Sequence, residues 1–186
     1  MNNQQEITYL SNPLDNLTTT QIFKWKSCKS EAKLPTKRAT DSGFDIYTIE
    51  NNVWLKPHQT RMFSTGLACI MPTGHWLRAV DRGSTGSKGI HTHCGIVDEE
   101  YTGEIFIALN NTNNYPVLFT DTVDKVCFKR TWYGRKFMCY PISKAICQII
   151  PERRVPAESV WATDEEFKDA VCNSIRKDSK LGASGK

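Results

Sequence analysis

From residue 43 onward the chain is a succession of short apolar runs, each closed by turn-forming residues. Residues 44–49, 61–70, 75–80, 104–110, 117–120, 136–140 and 145–150 carry these runs, rich in β-branched and aromatic side chains. Asn51-Asn52, Lys56-Pro57, Pro72-Thr73-Gly74, the Asn-rich stretch 111–114 with Pro116, and Pro151 separate them. Many short strands at this spacing predict a sandwich, barrel or jelly roll. One segment has a helical period instead. Thr163 and Glu166 have capping-box spacing, and Phe167, Ala170, Val171 and Ile175 share one face, which predicts a short helix docked by that stripe. Residues 1–23 are polar and contain Pro13, consistent with an edge segment or a loose arm. Residues 176–186 are polar and glycine-containing, the pattern of a frayed tail.

A length of 186 residues suits one domain with an arm or tail, and 39% hydrophobic residues are enough for a core. No run approaches the roughly 18 apolar residues that span a bilayer. The start, Met1-Asn2-Asn3-Gln4-Gln5-Glu6, has neither the positive cluster nor the apolar run of a secretory signal. The net charge of +4 is too mild for a nucleic-acid binder, but its distribution is informative. Residues 1–23 hold no Lys or Arg, whereas 24–38 hold six basic residues against Glu31 alone. A small polyanion such as a nucleoside triphosphate fits that distribution better than a duplex. Seven cysteines, none in a two-residue zinc-knuckle spacing and several within apolar runs, indicate a reducing, cytoplasmic setting.

The chemistry concentrates between Asp81 and Gly103, in DRGSTGSKGIHTHCGIVDEEYTG. Arg82-Gly83-Ser84-Thr85-Gly86 can form a nest of backbone N–H groups beside a guanidinium, an anion cradle without the P-loop pattern. A surface turn with one solvated arginine would have the same composition. Gly95-Ile96-Val97-Asp98-Glu99-Glu100-Tyr101-Thr102-Gly103 reads as an apolar strand ending in carboxylates and a glycine turn. Such a carboxylate can orient a water and take its proton, and the aromatic three residues later can wall off a flat ring. An acidic hairpin tip is the plainer alternative. His91-Thr92-His93-Cys94 lacks a fourth group at metal-ligand spacing, so no directly held metal is expected there.

Taken in order, these stretches resemble the trimeric dUTPase family, from about residue 34 to the C-terminus. Five family motifs have counterparts. They are Asp41-Ser42-Gly43-Phe44-Asp45-Ile46, Arg82-Gly83-Ser84-Thr85-Gly86-Ser87-Lys88-Gly89-Ile90, the Gly95 to Gly103 segment, Ile146-Cys147-Gln148-Ile149, and Arg176 followed by Leu181-Gly182-Ala183-Ser184-Gly185. The third is the most specific. The resemblance implies an all-β, distorted jelly-roll barrel with one short C-terminal helix and a flexible glycine-containing tail. It also implies hydrolysis of dUTP to dUMP and pyrophosphate, which keeps uracil out of DNA and supplies dUMP for dTMP synthesis. Asp98 would be the general base for water attack on the α-phosphorus. Tyr101 would pack under the deoxyribose, and backbone groups at Gly95 and Ile96 would read uracil. Arg82, Gly83, Ser84 and Gln148 would bind phosphates. Asp45 would act through the water shell of a Mg2+ held mainly by the triphosphate. Arg176, Leu181, Gly182 and Ser184 would close a lid over a neighbouring subunit's site in a homotrimer.

The chain departs from the family pattern in three places. Gly83 stands where the family has serine, with Ser84 one position later, and Leu181 replaces the tail aromatic that stacks on uracil. Glu100 replaces a second aspartate. The organisation expected is an arm of unknown role at 1–30, a barrel at 31–162 with a probable basic-aromatic insertion at 121–136, and a helix with lid tail at 163–186. The insertion is either a solvated hairpin or a protein-binding surface. Two other functions remain open: a dCTP deaminase-like enzyme of the same fold, and a catalytically weak dUTPase-like regulatory protein. Asp98 with Tyr101 favours the hydrolase over the deaminase. Neither membrane nor nucleic-acid binding is expected.

Overall fold

A computed structural model describes residues 20–93 and 95–174. Among them the chain is all-β, with strands β1 Lys24–Ser27, β2 Phe44–Ile46, β3 Val53–Leu55, β4 Thr60–Ser64, β5 Leu67–Ile70 and β6 His75–Val80 in the first half. One helical turn, α1 (Gly83–Gly86), follows. Then come β7 Ile90–His93, β8 Ile96–Val97, β9 Phe106–Asn111, β10 Val117–Thr120, β11 Cys127–Arg130, β12 Lys136–Pro141 and β13 Cys147–Arg153. Helix α2 (Asp164–Asn173) closes the described chain. The strands form four sheets, ordered β1-β5, β11-β12-β10-β3, β2-β13-β6-β8 and β4-β9-β7. Pairing is antiparallel except between β10 and β12. Among the described residues, those up to Arg154 and those from Val155 onward separate as two compact units.

Alternation explains the strands. In β6, Leu77 and Ala79 are buried while Arg78 is exposed, the period-2 pattern of a sheet with one face on a core. Val117 and Phe119 of β10 point inward in the same way, joined by Met138 and Tyr140 of β12. Phe63, Phe119 and Tyr140 stack in series, with ring centroids 4.7 and 5.4 Å apart. Leu55, Leu77, Ile107, Leu109 and Ile149 complete the centre of this core.

The apolar run 61–70 does not make one strand. It breaks at Thr65-Gly66 into β4 and β5, which belong to different sheets. Gly66 takes φ +67°, a left-handed conformation that favours glycine. The corner is held by Glu104, whose Oε1 accepts the Gly66 N–H at 3.0 Å and the Ser64 hydroxyl, while Lys29 pairs with Oε2 at 3.3 Å. Strands β1, β3, β7 and β11 come from segments without an apolar run long enough to announce them. The 121–136 stretch supplies β11 and a turn, and β11 pairs antiparallel with β12 as a hairpin.

Helix α2 begins as its sequence predicts. The Thr163 hydroxyl accepts the Glu166 N–H at 3.2 Å, and Glu166 accepts the Thr163 N–H at 2.7 Å. Ile175 and the tail positions Arg176, Leu181, Gly182 and Ser184 lie outside the described residues. Among described residues Cys69, Cys139 and Cys147 are buried and Cys28 and Cys172 exposed, all as free thiols. No helix among the described residues is long and apolar enough to cross a membrane.

Candidate active site

Three separated motifs meet on one sheet. In register, Gln148 of β13 lies opposite Asp45 of β2 on one side and Val80 of β6 on the other, two residues before Arg82. The side chains converge. Arg82 donates to Asp45 Oδ2 at 2.9 Å and to Ser84 Oγ at 3.2 Å, and Gln148 donates to Asp45 Oδ1 at 3.2 Å. Asp45, Arg82 and Gln148 line a cleft of about 420 Å³ with Thr36, Lys37, Arg38 and Asp41. Three cations face two carboxylates there, so the cleft favours an anion. Lys37 and Arg38 were not singled out from the sequence, although the basic run 24–38 signalled them.

The loop carrying Arg82 is anchored from both ends. Thr85, fully buried, accepts the Arg82 N–H at 3.2 Å and donates back to the Arg82 carbonyl at 3.0 Å. Lys88 donates to the Ser84 carbonyl at 3.1 Å. Before the loop, Asp81 accepts the Thr92 N–H at 2.5 Å and pairs with His91 Nδ1 at 2.7 Å. Burial opposes ionisation of Asp81, but the Thr92 N–H and the His91 ring outweigh it and hold the carboxyl below its ordinary range. His91 thereby has a use in fixing the loop. The anion nest expected over 82–86 is a single helical turn, with the Ser84 hydroxyl turned onto the Arg82 guanidinium.

The second group is built on β8. Ile96 and Val97 pair with Arg78 and Leu77 of β6, and the Gly95 carbonyl accepts the Ala79 N–H at 2.6 Å. A Cβ on Gly95 would stand 2.6 Å from the Ala79 carbonyl oxygen, so only glycine permits this approach. The chain then turns, the Tyr101 N–H donating to the Asp98 carbonyl at 3.0 Å and the Tyr101 hydroxyl to the Glu104 carbonyl at 2.8 Å. Ile96, Val97, Asp98 and Tyr101 line a cavity of about 220 Å³ with Met62, Ile105 and Phe106. Met62 and Phe106 arrive from β4 and β9, and no local sequence signal marked them.

The acidic trio 98–100 divides by what its oxygens already hold. Glu99 accepts the Gly74 N–H at 2.7 Å and pairs with Arg154 at 3.1 Å, so it is structural. Among the described residues no hydrogen bond or ion pair engages the Asp98 carboxylate. It lines the aromatic-walled cavity and also a cleft of about 600 Å³ with Trp76 and Arg154. Within one chain the two groups stay apart. Asp98 follows Val97, which lies opposite Leu77, so it falls level with Trp76, four residues from Val80 along β6. At about 3.4 Å per residue that is roughly 14 Å along the strand, with β6 between them.

Two half-sites thus sit on one all-β scaffold, one rich in cations and one with a carboxylate beside an aromatic-walled cavity. A family model described as dUTPase matches residues 30–127. The chain belongs to the dUTPase family. It is 33% identical over 96 residues to the deoxyuridine 5'-triphosphate nucleotidohydrolase of Saccharomyces cerevisiae, a match over 50% of this chain and 65% of that protein. The chain therefore spans just under two thirds of that relative's length. Its fold matches a mutant dUTPase of Staphylococcus bacteriophage 80alpha bound to dUpNHpp, with TM-score 0.67 at 20% identity, over 90% of this chain and 100% of that one. A dUTPase from phage phi11 of S. aureus, described with a structural Mg(II) ion, matches with TM-score 0.60 at 17% identity, over 76% of this chain and 96% of that one.

Proposed function

We propose that this protein hydrolyses dUTP to dUMP and pyrophosphate, with Asp98 as the base that activates water against the α-phosphorus. The observation that carries this reading is the uncommitted Asp98 carboxylate lining the same cavity as Ile96, Tyr101 and Phe106. That cavity would take the uracil and deoxyribose, with Tyr101 under the sugar, where it leaves no room for a 2′-hydroxyl. The Gly95 and Ile96 backbone would read the base edge. Arg82, Ser84 and Gln148, with the N–H groups around Gly83, would hold the phosphates.

The two half-sites are about 14 Å apart along one strand, which favours a shared site. Asp98 of one subunit would face the Arg82 cleft of a neighbour in a homotrimer. Arg176, Leu181, Gly182 and Ser184 would close over a neighbouring subunit's site. Asp45 fits an indirect role toward magnesium, since its two oxygens are already bonded to Arg82 and Gln148. It would meet the ion through coordinated water, as suits a cation that keeps its waters. Magnesium bound with the triphosphate supplies charge neutralisation on the phosphates. Arg82 would add positive charge beside the phosphates, Gln148 would donate a hydrogen bond, and Asp98 would remove the proton of the attacking water.

The test is incubation with dUTP, dCTP, dTTP and UTP plus magnesium, following pyrophosphate and ammonia. Pyrophosphate from dUTP alone is expected. Ammonia from dCTP would replace this reading with a deaminase, and no product from any of them would leave a binding protein. Asp98→Asn is expected to lower kcat by about 10² or more while dUTP still binds. Retained turnover in that variant would remove Asp98 from the base role.

A further inference from the structure

Strands β11 and β12 set Cys127 directly opposite Cys139, and both are free thiols. The Thr131 N–H donates to the Arg135 carbonyl at 2.9 Å, which makes 131/135 a hydrogen-bonded pair. Pairs alternate along an antiparallel ladder, so 129/137 and 127/139 are hydrogen-bonded too. Met138 agrees with this phase, because its N–H turns away from β11 to the Pro116 carbonyl at 3.0 Å. Such pairs stand about 5.5 Å apart between Cα atoms, inside the roughly 4.4–6.8 Å that a disulfide spans. Their Cβ atoms stand at the wide end of about 4.5–5.5 Å, beyond the separation of about 3.5–4.5 Å that a relaxed disulfide has. A bond here would draw the strands together and carry strain, the property of disulfides that are readily reduced.

The two thiols differ in access. Cys139 is buried and Cys127 half-exposed. Burial pushes the Cys139 thiol pKa up, and the facing Cys127 thiol pushes it further. Cys69 and Cys147 are buried, and burial pushes the Cys69 thiol up to about 11 and the Cys147 thiol higher still, so neither competes as a thiolate. We propose that Cys127 and Cys139 form a reversible oxidation site for hydroperoxides on the β11–β12 hairpin.

Both steps balance. The Cys127 sulfur attacks one oxygen of hydrogen peroxide and the O–O bond breaks. The leaving oxygen departs with the thiol proton as water, which leaves a sulfenic acid on Cys127. The Cys139 sulfur then attacks the Cys127 sulfur, the S–O bond breaks, and a second water leaves with the Cys139 proton. Two thiols are oxidised to one disulfide and one peroxide is reduced to two waters; a thiol reductant reverses the bond.

The experiment treats the full chain with hydrogen peroxide, alkylates remaining thiols in denaturant, and maps non-reduced tryptic peptides by mass spectrometry. The expected result is loss of both thiols from the alkylated pool and a species joining the Cys127 and Cys139 peptides, lost on adding dithiothreitol. In Cys127→Ser the joined species should vanish and Cys139 should be recovered alkylated. In Cys139→Ser the Cys127 sulfenic acid should accumulate and be trapped by dimedone. Should that variant not fold, the Cys127→Ser arm decides alone. The proposal is overturned if both thiols stay alkylatable at a dose that oxidises Cys28, or if Cys127 is joined to another cysteine.

Discussion

What a carboxylate can do depends on what already occupies its oxygens. Glu104 is taken up by Ser64, Gly66 and Lys29, Glu99 by Gly74 and Arg154, and Asp45 by Arg82 and Gln148. Asp98 stands uncommitted among the described residues, which is what a base needs before a water arrives. Asp81 lies between these cases, since it holds the loop of Arg82 without lining the cleft. Its carboxyl is held below the ordinary range, so its folded pKa lies below the unfolded value of about 3.9. A carboxylate shifted this way stabilises the fold fully above the unfolded pKa, and that contribution is lost as pH falls through the folded one. Denaturant midpoints measured from pH 6 down to pH 2 should fall more steeply below about pH 4 in the wild type than in Asp81→Asn. Parallel curves would mean that Asp81 does not tie β7 to the loop.

Strand β6 organises the site because it is paired on both sides. Strand β13 on one side brings Gln148 to Asp45, and β8 on the other carries the chain into Asp98. Strand β8 has only two residues in the ladder, so its position rests on the contact of Gly95 with Ala79. Gly95→Ala should therefore cost about 1–3 kcal/mol in overpacking and shift Asp98 enough to lower turnover. Gly83→Ala is the matched control for stability. A Cβ there meets nothing within 4 Å, and its denaturation midpoint should stay close to wild type. Equal losses in the two variants, read by urea denaturation, would show that the close approach at Gly95 carries no weight.

At the scale of the molecule, the proposed shared site would draw on more than one chain. Asp98→Asn and Arg82→Ala should each be inactive alone. Denatured together in equal amounts and refolded, they should regain activity if each site takes Asp98 from one subunit and Arg82 from the next. In a cyclic trimer assembled at random, about a quarter of sites would pair an intact Asp98 with an intact Arg82. Recovery toward a quarter of wild-type turnover supports shared sites. No recovery, with the mixture shown by native mass spectrometry to contain mixed oligomers, would place the whole site within one chain.

Local structure was legible in the sequence where it depends on residues adjacent in the chain. The strand ending in Asp98, the glycine turn near it and the capping box of Thr163 and Glu166 read directly. So did the short apolar runs that become β6 and β10, since strand-forming composition is a property of consecutive residues. Other features depended on partners distant in sequence. Lys24–Ser27 and Cys127–Arg130 each carry two basic residues in four and become strands by pairing with β5 and β12. The run 61–70 reads as one strand until Gly66 turns the chain toward Glu104. Met62 and Phe106 face the Tyr101 cavity, Cys127 faces Cys139, and Asp98 lies well removed from Arg82. Each follows from sheet register, which joins residues far apart in the chain and leaves no mark on either segment read alone.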